Sequence, residues 1–354
     1  MLIARSPMRI SLGGGGTDLE AYYGHYGGFV ISSAINKYFY AIITTADADD
    51  LQVISADYRS LFRHSAYKDL FWDGDLALPK AILHHFGIRR GLNLFVASEV
   101  PPGTGLGSSS AAAVTLVRAL STLVEQPMTR QQIAELACAI EISKMGMPIG
   151  KQDQYASAYG GLNSISFSSQ GVSVEPVKIA ADVRHTLEQR LLLFFTGSSR
   201  DSTTILKQQR KATEDQDSAV LQALHTIKHV AIEMQACLEQ GDLEAFARLL
   251  DYSWQEKRRL APGLTTAFID ECYQLALHTG AAAGKITGAG GGGFLLLYCQ
   301  ESKQEAVTSA LEERGLQRMN FRFDQQGATV VLNIASFDPH WVAPYAEPQV
   351  QLST

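Results

Sequence analysis

Two carboxylates and a string of small residues are the parts of this chain best suited to chemistry. Asp153 lies in Gly150-Lys-Gln-Asp-Gln-Tyr-Ala-Ser-Ala-Tyr-Gly-Gly161, two positions after Lys151 and at the start of a short predicted helix. A nearby ammonium and a helix N-terminus both favour an ionised carboxylate, so Asp153 is fitted to accept a hydrogen bond from a substrate hydroxyl, although a plain helix cap would use the same residue. Glu141 stands one position past the apolar stripe of Ile133, Leu136 and Ile140. There it either projects inward at the edge of a site or faces solvent as most helix glutamates do.

The small residues run from Pro101 through Pro102, Gly103, Thr104, Gly105, Leu106, Gly107, Ser108, Ser109 and Ser110 to Ala111. Bare backbone can fold closely around an anion, and a helix beginning beside the serines directs free N–H groups and a positive dipole end at it. The serine hydroxyls can reach a magnesium ion or a phosphate oxygen. Spacing excludes the familiar alternatives, because GxGxG is not GxGxxG and no GK[ST] ending follows. Gly288-Ala-Gly-Gly-Gly-Gly293 does satisfy GxGxxG, yet a helical pattern precedes it and the strand-like Phe294–Cys299 follows, the reverse of a dinucleotide fold. Its amides suit close approach to a ligand or to another backbone. A third stretch, Arg9-Ile-Ser-Leu-Gly-Gly-Gly-Gly-Thr-Asp18, sets four glycines ahead of a carboxylate.

These groups need elements to hold them. Residues 35–45 and 92–98 are rich in β-branched and aromatic types and read as strands. The second leads through the small-residue loop into a helix carrying Val114, Val117, Leu120 and Val124 at helical intervals. Thr129 and Gln132 form a capping-box pattern ahead of a second helix, and a third spans about 152–159, ending at Gly160-Gly161. A strand at 189–197 then gives way to a polar stretch, Lys207 to Ser218, and to helical patterns at about 218–240, 242–257 and 264–279. Strands at 292–299 and 328–334 enclose a last helix at about 302–314. A domain boundary is placed near residue 186.

At 354 residues and 46% hydrophobic content, the chain is long enough for two cores. The net charge of -6 and the short, isolated basic clusters leave no footprint for nucleic acid. Cys138, Cys237, Cys272 and Cys299 are too scattered for a zinc site or a disulfide framework. Without a signal-peptide pattern or a run of membrane-spanning length, a cytoplasmic protein is the expectation, with no membrane partner and a homodimer left open.

The whole constellation resembles the GHMP kinases, the superfamily of galactokinase, homoserine kinase, mevalonate kinase and phosphomevalonate kinase. The family's PxxxGLGSS loop is matched from Pro101 to Ser109, its third motif resembles Lys285-Ile-Thr-Gly-Ala-Gly-Gly-Gly-Gly-Phe294, and its first resembles Ser6 through Asp18. The resemblance implies an α/β (α+β) fold, with a ribosomal-S5-domain-2-like N-terminal domain (1–186), a ferredoxin-like C-terminal domain (187–354) and the site between them. It implies ATP and Mg2+, with Pro102 to Ser110 cradling the nucleotide phosphates and Ser109 and Glu141 holding magnesium. Asp153 would orient or deprotonate the acceptor hydroxyl, with Lys151 beside it and Arg9 near the transferred phosphate. Asp18 would hydrogen-bond the substrate, and Gly14, Gly15, Gly16, Thr17, Gly288, Ala289, Gly290 and Gly291 fall on the substrate side.

One departure is informative. Where galactokinases have Gly-Glu-His-Thr-Asp, this chain has Gly14-Gly15-Gly16-Thr17-Asp18, which argues against galactose. The forms "GGGTDL", "GKQDQYA" and "FTGSSRDSTTIL" more closely resemble D-glycero-D-manno-heptose 7-phosphate kinases, with fucokinases nearby. The expected reaction is therefore phosphorylation of the anomeric hydroxyl of a sugar phosphate. Other sugar 1-kinases and a non-catalytic sugar and ATP sensor are the alternatives. Arg200, beside Ser198, Ser199 and Ser202, is the candidate partner for the distal phosphate, against the plainer reading of a surface arginine in a loop.

Overall fold

A computed structural model describes residues 1–45, 50–57, 59–64, 70, 72–74, 76–88, 91–197 and 203–335. Strand β1 (Leu2–Gly13) and strand β2 (Gly28–Thr45) form the antiparallel spine of an eight-stranded sheet. Their apolar and β-branched residues are buried along almost the whole of β1 and the first half of β2. Strands β3 (Leu51–Ser55), β4 (Ser60–His64) and β5 (Leu92–Ser98) extend the sheet beyond the end of β2, and β3 lies parallel to β5. Strands β6 (Leu162–Ser168) and β7 (Gly171–Pro176) branch from the beginning of β2.

Helix Ser108–Leu123 packs on β1 and β2 and is buried along most of its length. The run of Ser and Ala in its first turns lets it lie close to the sheet. The capping box at Thr129 and Gln132 is formed and starts helix Arg130–Cys138. Beyond Cys138 the expected regular helix widens into a π turn, Ala139–Lys144, which carries Glu141.

A smaller sheet has the order β11 (Gln317–Arg318), β8 (Leu191–Phe195), β10 (Phe294–Cys299), β9 (Ala281–Ile286), all antiparallel. Helices Ser218–Gln240, Leu243–Lys257, Ala267–Thr279 and Glu301–Glu312 accompany it, close to the spans expected from periodicity. Most of the polar stretch after β8 is helical, since Lys207 to Glu214 belongs to helix Thr203–Glu214. Its inner face is Ile205, Gln209 and Thr213, so the four-residue spacing is present while the apolar signal is not. Residue 186 falls inside helix Ala181–Arg190, and strand β12 (Thr329–Asn333) returns to pair with β1. The last described strand thus pairs with the first.

Candidate active site

Arg9 reaches the site from the middle of β1 and is almost wholly buried. Its Nε donates to Asp153 Oδ1 at 2.7 Å, one terminal nitrogen donates to Oδ2 at 2.8 Å, and the other donates to the Gly105 carbonyl at 2.6 Å. A fork-on-carboxylate pair of this kind fixes orientation as well as charge. Asp153 occupies the first turn of helix Gln152–Tyr159 and keeps part of its carboxylate exposed to the cleft. Its cation is therefore Arg9, 144 positions away in sequence, rather than Lys151. The Lys151 ammonium instead lies 5.1 Å from the centre of the Tyr23 ring. Lys151 is not among the residues that line the cleft.

The small-residue loop bends over Arg9 and Asp153. Gly103, Gly105 and Gly107 have φ of 73°, 79° and 76°, a region that side chains resist. A Cβ on Gly105 would stand 2.6 Å from the Thr287 carbonyl, and one on Gly293 would stand 2.2 Å from the Thr104 carbonyl. The two glycine-rich segments are packed backbone on backbone. Gly107 immediately precedes helix Ser108–Leu123, and a Cβ there would come within 3.2 Å of Asp153 Oδ2. Gly103, Gly105, Gly107, Ser108, Ser109 and Ser110 border the cleft. Thr104 and Leu106 are buried beneath it, with the Thr104 hydroxyl donating to the Pro101 carbonyl at 2.9 Å.

Glu141 is fully buried and faces the start of that helix. Its carboxylate accepts from Ser109 Oγ at 2.9 Å and from Gln154 Nε2 at 2.7 Å. Burial pushes its carboxyl up to about 7 even though the bonds from Gln154, Ser109 and Ser110 favour the ionised form. Glu141 lies in the π turn and points inward, a direction the sequence pattern left undecided. A hydroxyl and a carboxylate are hard oxygen donors of the kind Mg2+ takes, and an incoming cation would supply the countercharge that Glu141 lacks. Among the described residues no group of three or more His, Cys, Asp or Glu could hold a metal, so phosphate oxygens would have to complete such a site.

Asp18 is buried beside the same cleft, accepting from Gly16 N at 2.9 Å and from Gln152 N and Nε2 at 3.2 and 3.1 Å. Burial, then the charge of Asp153, raises its carboxyl above the ordinary value. The stretch before it divides into two roles. Gly14 turns against β2, where a Cβ would stand 1.9 Å from the Phe29 carbonyl, and the Thr17 hydroxyl bonds the Gly14 and Phe29 carbonyls. These two shape the turn rather than meet a ligand. Gly16 borders the cleft, and Gly15 lies just behind it, 3.6 Å from the Lys257 ammonium measured from its Cβ position. In the third motif Gly288, Ala289 and Gly290 border the cleft, whereas the Gly291 amide is bonded to the Leu264 carbonyl at 2.7 Å. Arg200, Ser198, Ser199 and Ser202 lie outside the described residues.

Several residues at the site carried no local signal. Lys257, the last residue of its helix, and Gln209, from the polar helix, both border the cleft. Burial and the Arg9 charge pull the Lys257 ammonium down to about 8, against the attraction of Asp18 and Asp153. Beside the loop is an apolar pocket walled by Phe39, Leu76, Pro79, Val96, Met145 and Met147, with Asp57 and Ser98 as polar groups. It shares Pro102, Gly103, Ser108 and Ser109 with the phosphate loop, so Pro102 faces this pocket rather than the main cleft. Trp72 packs on His84 and Lys144 and is not part of this pocket's lining.

Comparison with known proteins agrees with this geometry. The GHMP kinases N terminal domain matches residues 76–161, and the GHMP kinases C terminal domain matches residues 234–317. A D-glycero-alpha-D-manno-heptose 7-phosphate kinase from Campylobacter jejuni is 31% identical over 329 residues, spanning 91% of this chain and 96% of that protein. The chain belongs to the GHMP kinases. It is accordingly an ATP-dependent sugar kinase with a phosphotransferase activity. A crystal structure of a D-glycero-D-manno-heptose 1-phosphate kinase from Bacteroides thetaiotaomicron superposes with a TM-score of 0.80 at 27% identity, covering 95% of this chain and all of that one. Lactococcus lactis galactokinase, solved with galactose, shares the fold with a TM-score of 0.74 at 18% identity, over 93% of this chain and 94% of that one. No helix among the described residues is long and apolar enough to cross a membrane.

Proposed function

We propose that this kinase transfers the ATP γ-phosphoryl group to the anomeric hydroxyl of D-glycero-D-manno-heptose 7-phosphate, giving the 1,7-bisphosphate. The observation that carries the chemistry is the Arg9 and Asp153 pair, held against the mouth of the phosphate loop with a carboxylate edge open to the cleft. The choice of acceptor is supported by the extent of the similarity to the Campylobacter protein and by the bare backbone at Gly15 and Gly16.

In this reading, amides of residues 103–110 and the N-terminus of helix Ser108–Leu123 bind the ATP phosphates. The apolar pocket of Phe39, Leu76 and Met147 takes the base. Ser109 and Glu141 would hold Mg2+, which when bound neutralises phosphate charge during transfer. Asp153 accepts the hydrogen bond of the acceptor hydroxyl, aligning its oxygen for in-line attack and taking the proton as the new O–P bond forms. Arg9 fixes the carboxylate's rotamer and ties it to the loop through Gly105, so the acceptor and the nucleotide are registered by one side chain. Asp18 accepts from a ring hydroxyl. Because phosphoryl transition states are loose, this positioning matters more than strong basicity.

A coupled ADP-release assay over heptose 7-phosphate, the unphosphorylated heptose, L-fucose and D-galactose tests the reading. Heptose 7-phosphate is expected to give the highest kcat/KM by at least about tenfold, or roughly 1.4 kcal/mol of selectivity. Preferred use of fucose or galactose would refute the acceptor, and ADP formation with none of them would refute the reaction.

A further inference from the structure

The four glycines at 13–16 are not equivalent. A Cβ on Gly13 would meet Met234 Sδ at 2.9 Å, while Gly14 and Gly16 have φ of 82° and 106° and would each clash. Gly15 has neither restriction, and the nearest atoms to its Cβ position are at ordinary contact distances: Ser11 Oγ at 3.4 Å, Lys257 Nζ at 3.6 Å and Gln152 Nε2 at 3.7 Å. The fold would accept a side chain there. What surrounds the position is an ammonium, an amide and a hydroxyl, and the buried Ser11 Oγ has no hydrogen-bond partner among the described residues.

Lys257 is buried to 8% exposure, and the one hydrogen bond it makes among the described residues is to the Gly288 carbonyl at 2.5 Å. An ammonium has three donors and a full charge; Asp18 and Asp153 attract it without bonding it, so donors are left for a ligand anion. Arg9 cannot serve a ligand in the same way, since its fork is committed to Asp153 and Gly105. Galactokinases place a glutamate at the position of Gly15, and a carboxylate there would stand beside the lysine. In this chain the carboxylate is missing and the cation is present.

We propose that Lys257, with Gln152 and Gln209 on the same cleft and bare backbone at Gly15 and Gly16, binds the acceptor's own phosphate. The substrate's anion takes the place that a protein carboxylate would otherwise fill. Lys257 is then a specificity residue that separates phosphorylated from unphosphorylated sugars, a role for which Arg200 was the sequence-based candidate. The inference rests on the acceptor being a sugar phosphate.

Steady-state kinetics of wild type and Lys257→Met on heptose 7-phosphate and on the unphosphorylated heptose provide the test, with KM for ATP measured alongside. The wild type is expected to prefer the phosphate ester by about a hundredfold, as loss of a buried charge-assisted contact would imply. Lys257→Met loses that preference, with KM for the ester rising at least about tenfold more than KM for ATP, and Lys257→Arg restores part of it. Equal losses on both acceptors, expressed in kcat, would overturn the assignment and place the lysine at the transferred phosphoryl group. If Lys257→Met does not fold, Gly15→Glu offers a second route, because its carboxylate competes for the ammonium; a Gly15→Glu enzyme that kept the full preference would also overturn it. A wild type that ignores heptose 7-phosphate but phosphorylates another sugar refutes only the acceptor, and the ratio is then read on that sugar and its phosphate ester. A wild type with no preference for any phosphorylated acceptor sinks the role of Lys257.

Discussion

Replacing Lys257 by methionine should make the ligand-free protein more stable at neutral pH. Burial, followed by repulsion from Arg9, lowers this ammonium from 10.5 to about 8. Between those values the folded state binds fewer protons than the unfolded chain, so stability rises as pH climbs from about 8 towards 10.5 and is lowest below 8. Carrying the charge at pH 7 therefore costs the folded state about 3 kcal/mol. Methionine matches the length of the buried stem and removes that cost, but it leaves the Gly288 carbonyl without its donor, at about 1 kcal/mol. The variant should be about 2 kcal/mol more stable than wild type at pH 7. By pH 9.5 the advantage should have shrunk by about 2 kcal/mol, to near zero. Urea unfolding of both proteins at pH 7.0, 8.0, 9.0 and 9.5, without ligands, measures the difference while cancelling the titration of every other group. A methionine variant that is less stable at pH 7 by an amount independent of pH would refute the burial and charge state described for this lysine.

Three further outcomes follow from the site. Gly105→Ala meets both a φ of 79° and a carbonyl 2.6 Å from the new Cβ, so it should lose about 2 to 4 kcal/mol of stability and raise KM for ATP; a thermal midpoint unchanged within a degree would contradict the packing of the two glycine-rich segments. Asp153→Asn keeps the shape but leaves the buried Arg9 short of a countercharge, so kcat should fall by about a hundredfold or more with KM for ATP little changed, and near-normal turnover in a folded variant would remove Asp153 from the chemistry. Glu141→Gln should preserve the contacts to Ser109 and Gln154 and still raise the Mg2+ concentration needed for half-maximal rate by at least about tenfold. An unaltered Mg2+ requirement would place the metal elsewhere.

Much of the architecture was legible because local chemistry and tertiary structure agree. The capping box at Thr129 and Gln132, strand β5, helix Gln152–Tyr159 and the loop-to-helix transition at Gly107 and Ser108 are all set by residues within a few positions of one another. The loop read as a phosphate cradle does precede a buried helix that packs on the central sheet. Helix Thr203–Glu214 escaped notice because Gln209 and Thr213 bury polar side chains, and a periodicity of apolar residues cannot register them. The apolar pocket beside the loop escaped for another reason, since its walls come from segments between Phe39 and Met147 that share no pattern.

The sequence by itself determined which segments could approach an anion and where carboxylates were available, because backbone freedom, capping and strand or helix periodicity act over short distances. Only the tertiary structure decided which charges meet. Two positions separate Lys151 from Asp153, yet the lysine turns to Tyr23 while Arg9 arrives from β1 to make the pair. Likewise the glycines of RISLGGGGTD look alike as letters. Folding gives Gly14 a turn to close and Gly15 a lysine to face, because side-chain direction and burial are fixed by elements far apart in the chain.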